Sequence, residues 1–211
     1  TARFAQTCAL PLTRGAEAIF TYLVAVTLCF SSSTLYYTFS NHNQASIWQL
    51  IDHLGIITMI WASSMALTAF CFTPGSASQR AYFMAITAAA LLSYSQLTTI
   101  LLYSPSHRWD LHATHVVFGG LATLPAVHAS YESHYQPTKQ EGHLLKSFWN
   151  LLLLNTVGGG IYATGFVERM VGKTAAELDA SHFTMHVFAV AGAWIYKRGL
   201  YEMVDTRREM P

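Results

Sequence analysis

The sequence predicts an all-α integral membrane protein, a multi-pass bundle of six transmembrane helices. Hydrophobic residues make up 52% of its 211 residues and charged residues only 11%, with a mean hydropathy of +0.30. An ordinary soluble domain is less apolar than this. Asp, Glu, Lys and Arg are absent from six windows, each able to hold the roughly 17–25 residues of a membrane span: 18–51, 53–79, 81–107, 111–131, 147–167 and 180–196.

The distribution of charge argues against other classes of protein. The helices of a large soluble bundle would carry a charged outer stripe, and these windows have none. The net charge is +1 and no basic, aromatic patch is present, so no nucleic-acid partner is expected. No phosphate loop, nucleophile elbow or nucleotide fingerprint appears. The cysteines, at positions 8, 29 and 71, lack motif spacing and are interpreted as small apolar residues.

Composition and turn signals divide the chain into three parts. Residues 1–15 are predicted to be a loop or interfacial segment, 16–200 the transmembrane bundle, and 201–211 a polar C-terminal tail. Turns are predicted at Asn41-His42-Asn43, Thr73-Pro74-Gly75-Ser76 and Ser104-Pro105-Ser106. Gly119-Gly120 and Pro125 are expected to serve packing or a kink in the fourth helix, and Gly158-Gly159-Gly160 to allow close approach of helices.

The last apolar segment opens with Ser181-His182-Phe183-Thr184-Met185-His186. Two histidines four residues apart share one face of a helix, where both can bind one metal ion. Packing or hydrogen bonding is the alternative for such a pair, and it stays open. Ionisable residues at the mouth of a membrane segment are costly to keep there, which makes this pair a candidate functional site.

The number of membrane crossings brings further polar residues to the same face. The first predicted helix ends, and the second begins, at the face to which the last long loop returns. Ser33, Tyr37 and Asp52 therefore lie on the side of His182 and His186. At a rise of 1.5 Å per residue, each lies within about 10 Å of a helix end. The sequence thus predicts that three helices converge on one site.

Three segments carry a family resemblance: Ser33-Thr34-Leu35-Tyr36-Tyr37, Ile51-Asp52-His53-Leu54-Gly55-Ile56, and Ser181 to His186. They resemble the hallmark motifs of the haemolysin-III and adiponectin-receptor family (progestin and AdipoQ receptors). Fungal members are similar in Phe39-Ser40-Asn41-His42, Leu124-Pro125-Ala126-Val127-His128, and Ile161-Tyr162-Ala163-Thr164 followed by Glu168-Arg169. The resemblance implies a seven-helix fold, of which the six helices here correspond to the second through seventh.

The resemblance also implies a zinc site and a reaction like that of the similar alkaline ceramidases. It implies zinc on His182 and His186, with Asp52 holding or deprotonating the zinc-bound water and Ser33 hydrogen-bonding nearby. Zinc with an open position lowers the pKa of bound water to about 7, and the resulting hydroxide can attack an amide carbonyl. The expected partners are membrane lipids, with a lipid amide or fatty-acid-like ligand, or a protein ligand.

One ligand position departs from the family pattern. The third ligand, the histidine that ends the first motif, is Tyr37 here. A phenol with its ordinary pKa near 10 must lose a proton to bind zinc, so the affinity falls unless the metal depresses that pKa. His42 and His53 are alternative third ligands, although His42 falls in a predicted turn and His53 points about 100° away from Asp52.

Three functions from different classes stay open. The first is a zinc-dependent hydrolase of a lipid amide, and the second is a receptor or pseudoenzyme that binds a ligand without turnover, which Tyr37 favours. The third is a haem-binding electron carrier with His112 or His115 facing His182. The orientation is also open, because the few Lys and Arg on the site face favour an external site, whereas the resemblance implies a cytosolic one.

Overall fold

The computed structural model describes residues 2–39, 45–103, 108–135, 139–172 and 180–209, and these ranges are almost entirely helical, without a strand among them. The helices are α1 Ala2–Phe39, α2 Ala45–Cys71, α3 Ala77–Tyr103, α4 Arg108–Ala122, α5 Leu124–Tyr135, α6 Lys139–Thr164, α7 Phe166–Val171 and α8 Ala180–Glu209. The predicted all-α class is confirmed. The turns predicted at 41–43 and 104–106 lie outside the described residues.

Three helical segments in the described part are long and apolar enough to cross a membrane by length and composition: Gly15–Phe39, Ala45–Cys71 and Ala77–Leu101. The other three predicted spans fall in α4 with α5, in α6 and in α8. α6 and α8 have 26 and 30 residues and so reach the span length, but they are less apolar than the three segments named above.

Helices extend beyond the predicted transmembrane bundle at both ends of the chain. α1 begins at Ala2, so residues 2–14 are helical where a loop or an interfacial segment is expected. α8 continues to Glu209, so most of the predicted polar tail is helical too. Hydropathy reports membrane depth and not backbone conformation, and Ala, Leu, Arg, Glu and Met favour helices in water as well.

The predicted interruption near Pro125 is present, with a break between α4 and α5 at Thr123. Proline has no N–H and cannot complete the hydrogen bond to the carbonyl four residues earlier. At the break, the Thr123 N–H and hydroxyl both donate to the carbonyl of Gly120, three residues earlier, at 3.2 and 2.7 Å. A Cβ on Gly119 or Gly120 would meet no described atom within 4 Å, so neither glycine serves close packing there.

The bundle contains two closely packed helix pairs, α1 with α2 and α6 with α8. Two buried tyrosines join the pairs. Tyr22 of α1 donates its hydroxyl to the carbonyl of Ala193 at 3.0 Å, and Tyr196 of α8 donates to the carbonyl of Ser63 at 2.9 Å. Their rings meet edge to face with centres 5.2 Å apart. Since buried hydroxyls need partners, these bonds fix α8 against α1 and α2.

A glycine allows α6 and α8 to approach beside the predicted metal ligands. A Cβ on Gly158 would lie 3.2 Å from the carbonyl oxygen of Met185, which stands between His182 and His186 in α8. A Cβ on Gly159 or Gly160 would meet no described atom within 4 Å. The predicted close approach is therefore confirmed for the first glycine of the three, and the contact positions the histidine-bearing turn.

Candidate metal centre

A buried serine and aspartate link α1 to α2. The Ser33 hydroxyl donates to Oδ1 of Asp52, and Asp52 is only 1% exposed. The helices meet here at Gly55, where a Cβ would lie 3.0 Å from Cα of Cys29 and 2.6 Å from Oγ of Ser32. Burying a carboxylate is unfavourable unless hydrogen bonds or opposite charge compensate. Asp52 thus needs partners at this depth, and Ser33 supplies one.

Two histidine rings of α8 contact a tyrosine ring of α1. The ring centres of His182 and His186 are 4.7 Å apart, because residues four apart stack on one helix face. The ring centre of Tyr37 lies 5.1 Å from that of His182 and 6.0 Å from that of His186. His182 is buried, whereas His186 and Tyr37 are half-buried. Tyr37 therefore faces both imidazoles.

The Ser33–Asp52 pair and the two histidines belong to one region of the bundle. Asp52 lies close enough to His182 for the two groups to interact electrostatically. With Ser33 bonded to Asp52 and Tyr37 in contact with both histidines, α1, α2 and α8 all contribute to the same site. The convergence predicted from counting membrane crossings is confirmed.

Tyr162 is a site residue to which the sequence interpretation gives no role. Its ring stacks on His182, with centres 4.6 Å apart and planes inclined by 26°. Tyr36 lies further out, 6.3 Å from His182. Neither metal-ligand spacing nor hydropathy singles out a lone tyrosine. Two signals are available: Tyr162 lies in the family-like segment Ile161-Tyr162-Ala163-Thr164, and it lies two residues before the end of α6, on the face where α8 begins.

His53 faces a different helix from its neighbour Asp52. Its ring packs against His115 of α4 with centres 5.1 Å apart. Successive helix positions are rotated by about 100°, which separates His53 from the side chain of Asp52. The structure thus puts both His53, an alternative zinc ligand, and His115, an alternative haem partner of His182, in contact with each other. His42 lies outside the described residues.

The donor atoms of the site match the preferences of zinc. Zinc binds imidazole nitrogen and oxygen ligands at about 2.0–2.2 Å in a tetrahedral arrangement. With about 1.1 Å from ring centre to ring nitrogen, two imidazoles on one tetrahedral ion keep their centres about 5 Å apart, and those of His182 and His186 are 4.7 Å apart. The side chains that the structure describes include no group of three His, Cys, Asp or Glu suited to a metal. Among the described residues, Tyr37 contacts both histidine rings and carries an oxygen that can act as a third donor.

Glu168 of α7 is hydrogen-bonded to the beginning of α8. Its Oε1 accepts the backbone N–H of Ser181 at 2.6 Å, and its Oε2 accepts the Ser181 hydroxyl. The Ser181 oxygen in turn accepts the N–H of Val167 at 3.0 Å. These donors hold the pKa of Glu168 below its ordinary value. α7 itself starts after Gly165, whose left-handed φ of 57° turns the chain out of α6.

Known proteins resemble the chain over nearly its whole length. The model of the family described as haemolysin-III related matches residues 5–196. The chain is also 26% identical over 198 residues to the heptahelical transmembrane protein ADIPOR1 of Oryza sativa subsp. japonica. That alignment covers 90% of the chain and 51% of the rice protein, so the chain spans about half the length of this relative.

Proposed function

Because the chain belongs to the haemolysin-III related family of multi-pass membrane proteins, we propose that it is a zinc-dependent hydrolase of a lipid amide. The observation that carries this proposal is the contact of Tyr37 with both His182 and His186 beside the Ser33–Asp52 pair. Two imidazoles, a third donor on Tyr37 and an adjacent carboxylate are the kinds of protein group that support amide hydrolysis with a bound zinc ion.

In this reaction, side chains of the protein would bind the zinc ion, orient its ligands and transfer a proton. His182 and His186 would hold zinc through ring nitrogens, and the stacked Tyr162 restrains the plane of the His182 ring. When bound, zinc polarises the amide carbonyl and lowers the pKa of water to about 7. Asp52 accepts the proton of the attacking water and returns it to the leaving amine nitrogen, so the products are a carboxylic acid and an amine.

Ser33 orients the carboxylate for this transfer. Its hydroxyl donates to Oδ1, which restrains the carboxyl group and leaves Oδ2 to take the proton. A lipid amide is the substrate class that suits the surroundings, because the site lies close to the ends of apolar helices. The outer face of α1 there exposes Leu28 and Leu35 toward lipid. A substrate with a polar amide and long apolar chains matches both features.

The second candidate is a receptor that holds a lipid or protein ligand without turnover. Tyr37 favours this function, because a phenol at the third ligand position must lose a proton before it binds zinc. Such a site would hold zinc more weakly than a three-histidine site and would activate water less well. The two candidates differ in turnover and agree on which residues hold the metal.

Metal analysis of the detergent-purified chain tests the proposal. We expect about one zinc per chain, lost in His182→Ala and in His186→Ala. His143→Ala is the matched control, because His143 on α6 is 63% exposed and pairs with Glu202. Release of fatty acid from a fluorescent ceramide analogue then separates the candidates. Zinc without hydrolysis supports the receptor, and a chain that retains no zinc refutes both.

A further inference from the structure

The first turn of α8 receives its capping carboxylate from another helix. Helix starts leave backbone N–H groups without partners inside the helix, and a side chain of the preceding residue usually accepts them. Here the acceptor is Glu168, 13 residues earlier in the chain, which takes the Ser181 N–H on one oxygen and the Ser181 hydroxyl on the other. Two bonds from one carboxylate to one residue fix rotation as well as distance.

Ser181 completes the arrangement in the opposite direction. Its hydroxyl oxygen accepts the N–H of Val167, the second residue of α7, at 3.0 Å. Each helix start is therefore capped by a side chain from the other helix. The negative charge of Glu168 also lies at the N-terminus of α8, where the helix dipole favours it. We call this set of three hydrogen bonds the Glu168–Ser181 clamp.

The clamp includes Ser181, the residue directly before the candidate zinc ligand His182. His182 follows Ser181 directly, is buried, and stacks on Tyr162 of α6. α6 leads within a few residues through Gly165 into the helix that carries Glu168. The ring of His182 is thus held from two sides, by its stacking partner and by the backbone that the clamp fixes.

We propose that Glu168 is a positioning residue for the zinc site, acting through Ser181 to set the rotation and depth of His182. This inference rests on the proposed function, since it assumes that His182 binds zinc. Partners that orient metal ligands commonly contribute 10-fold to 100-fold in metal affinity. Removal of the clamp by Glu168→Ala should therefore weaken zinc binding at least about 10-fold.

The experiment measures zinc affinity by chelator competition on the full chain in detergent. Glu168→Ala, Ser181→Ala and the double variant are compared with wild type. Because Glu168→Ala removes both bonds from Glu168 to Ser181 and Ser181→Ala only the one from the hydroxyl, the double variant should bind zinc about as well as Glu168→Ala. Glu132→Ala is the matched control, since that carboxylate lies 3.3 Å from Nε2 of His128 in another part of the bundle.

Thermal unfolding of the zinc-free proteins separates positioning from general stability. A merely structural role lowers the zinc-free melting temperature and leaves the affinity of the folded protein unchanged, whereas positioning lowers the affinity. If Glu168→Ala does not fold, the isosteric Glu168→Gln keeps one acceptor and should show an intermediate loss of affinity. Wild-type affinity in these variants refutes the inference alone, and a wild type that binds no zinc refutes the proposed function with it.

Discussion

Replacement of Tyr37 by histidine should tighten zinc binding and is the sharpest test of the candidate centre. The Tyr37 ring centre is 5.1 Å from that of His182 and 6.0 Å from that of His186. Imidazoles that share a tetrahedral zinc have centres about 5 Å apart, so both distances are within about 1 Å of the required geometry. An imidazole at position 37 would therefore lie near enough to both histidines to serve as a third ligand.

The expected gain follows from protonation. A phenol with its ordinary pKa near 10 lies about three units above neutral pH, and at about 1.36 kcal/mol per unit its deprotonation costs about 4 kcal/mol. An imidazole is already largely neutral at pH 7. If the metal offsets about two thirds of that cost for the phenol, about 1.4 kcal/mol, or about 10-fold in affinity, is left for Tyr37→His to gain.

Zinc affinities of wild type, Tyr37→His and Tyr37→Phe at pH 7 decide the matter. A weakly held zinc predicts a gain for the histidine variant, together with new or faster hydrolysis of a ceramide analogue. A working phenolate ligand predicts stoichiometric zinc in wild type and a loss in Tyr37→Phe. Equal zinc binding in all three proteins would mean that α1 supplies no ligand, and the reasoning from ring distances would be refuted.

Three further predictions concern packing, proton transfer and pH. Gly158→Ala should destabilise the protein by about 1–3 kcal/mol, as overpacking does, because the new Cβ would lie 2.9 Å from Cβ of Phe188. Chemical unfolding measures this effect, with Gly159→Ala as the control. Equal effects of the two substitutions would contradict close packing at Gly158. Asp52→Asn should keep zinc while hydrolysis falls by roughly 10²–10⁴-fold; unchanged turnover would exclude Asp52 as the base. The pKa of Glu168 is lowered from 4.5 on folding, so its contribution to stability is present above that value and is lost as the pH falls through the folded pKa. Unfolding between pH 3 and 6 should therefore show a steeper loss of stability in wild type than in Glu168→Gln, and parallel curves would contradict it.

The sequence predicts the bundle because the bilayer demands long apolar windows whose backbone bonds are satisfied internally. The same windows misplace the ends of α1 and α8, since helices extend past the membrane wherever the residues permit. Pro125 predicts the break at Thr123 because a missing N–H is a local property that needs no knowledge of neighbours.

The site is predictable as far as it depends on spacing and topology. The intervals 33 to 37 and 182 to 186 set the helix faces, and the crossing count brings those faces to one end of the bundle. Tyr162 and Glu168 could not be found in this way, because their contacts depend on the rotation of α6 and on closure of the chain between α7 and α8. Both residues lie in the segment that resembles fungal family members, from Ile161 to Thr164 with Glu168-Arg169, but that resemblance gives neither side chain a role.

The two closely packed helix pairs give the site a mechanical meaning. Ser33, Tyr37 and Asp52 belong to the α1–α2 pair, whereas His182 and His186 belong to the α6–α8 pair. A zinc ion held by residues from both pairs would cross-link them at their interface. A force that slides one pair along the other would then strain the metal–ligand bonds. At a free zinc concentration about 100 times the dissociation constant, such a cross-link would add about 2.7 kcal/mol to the free energy of unfolding. Zinc supply would thereby set how firmly the two halves of the bundle hold together in the bilayer.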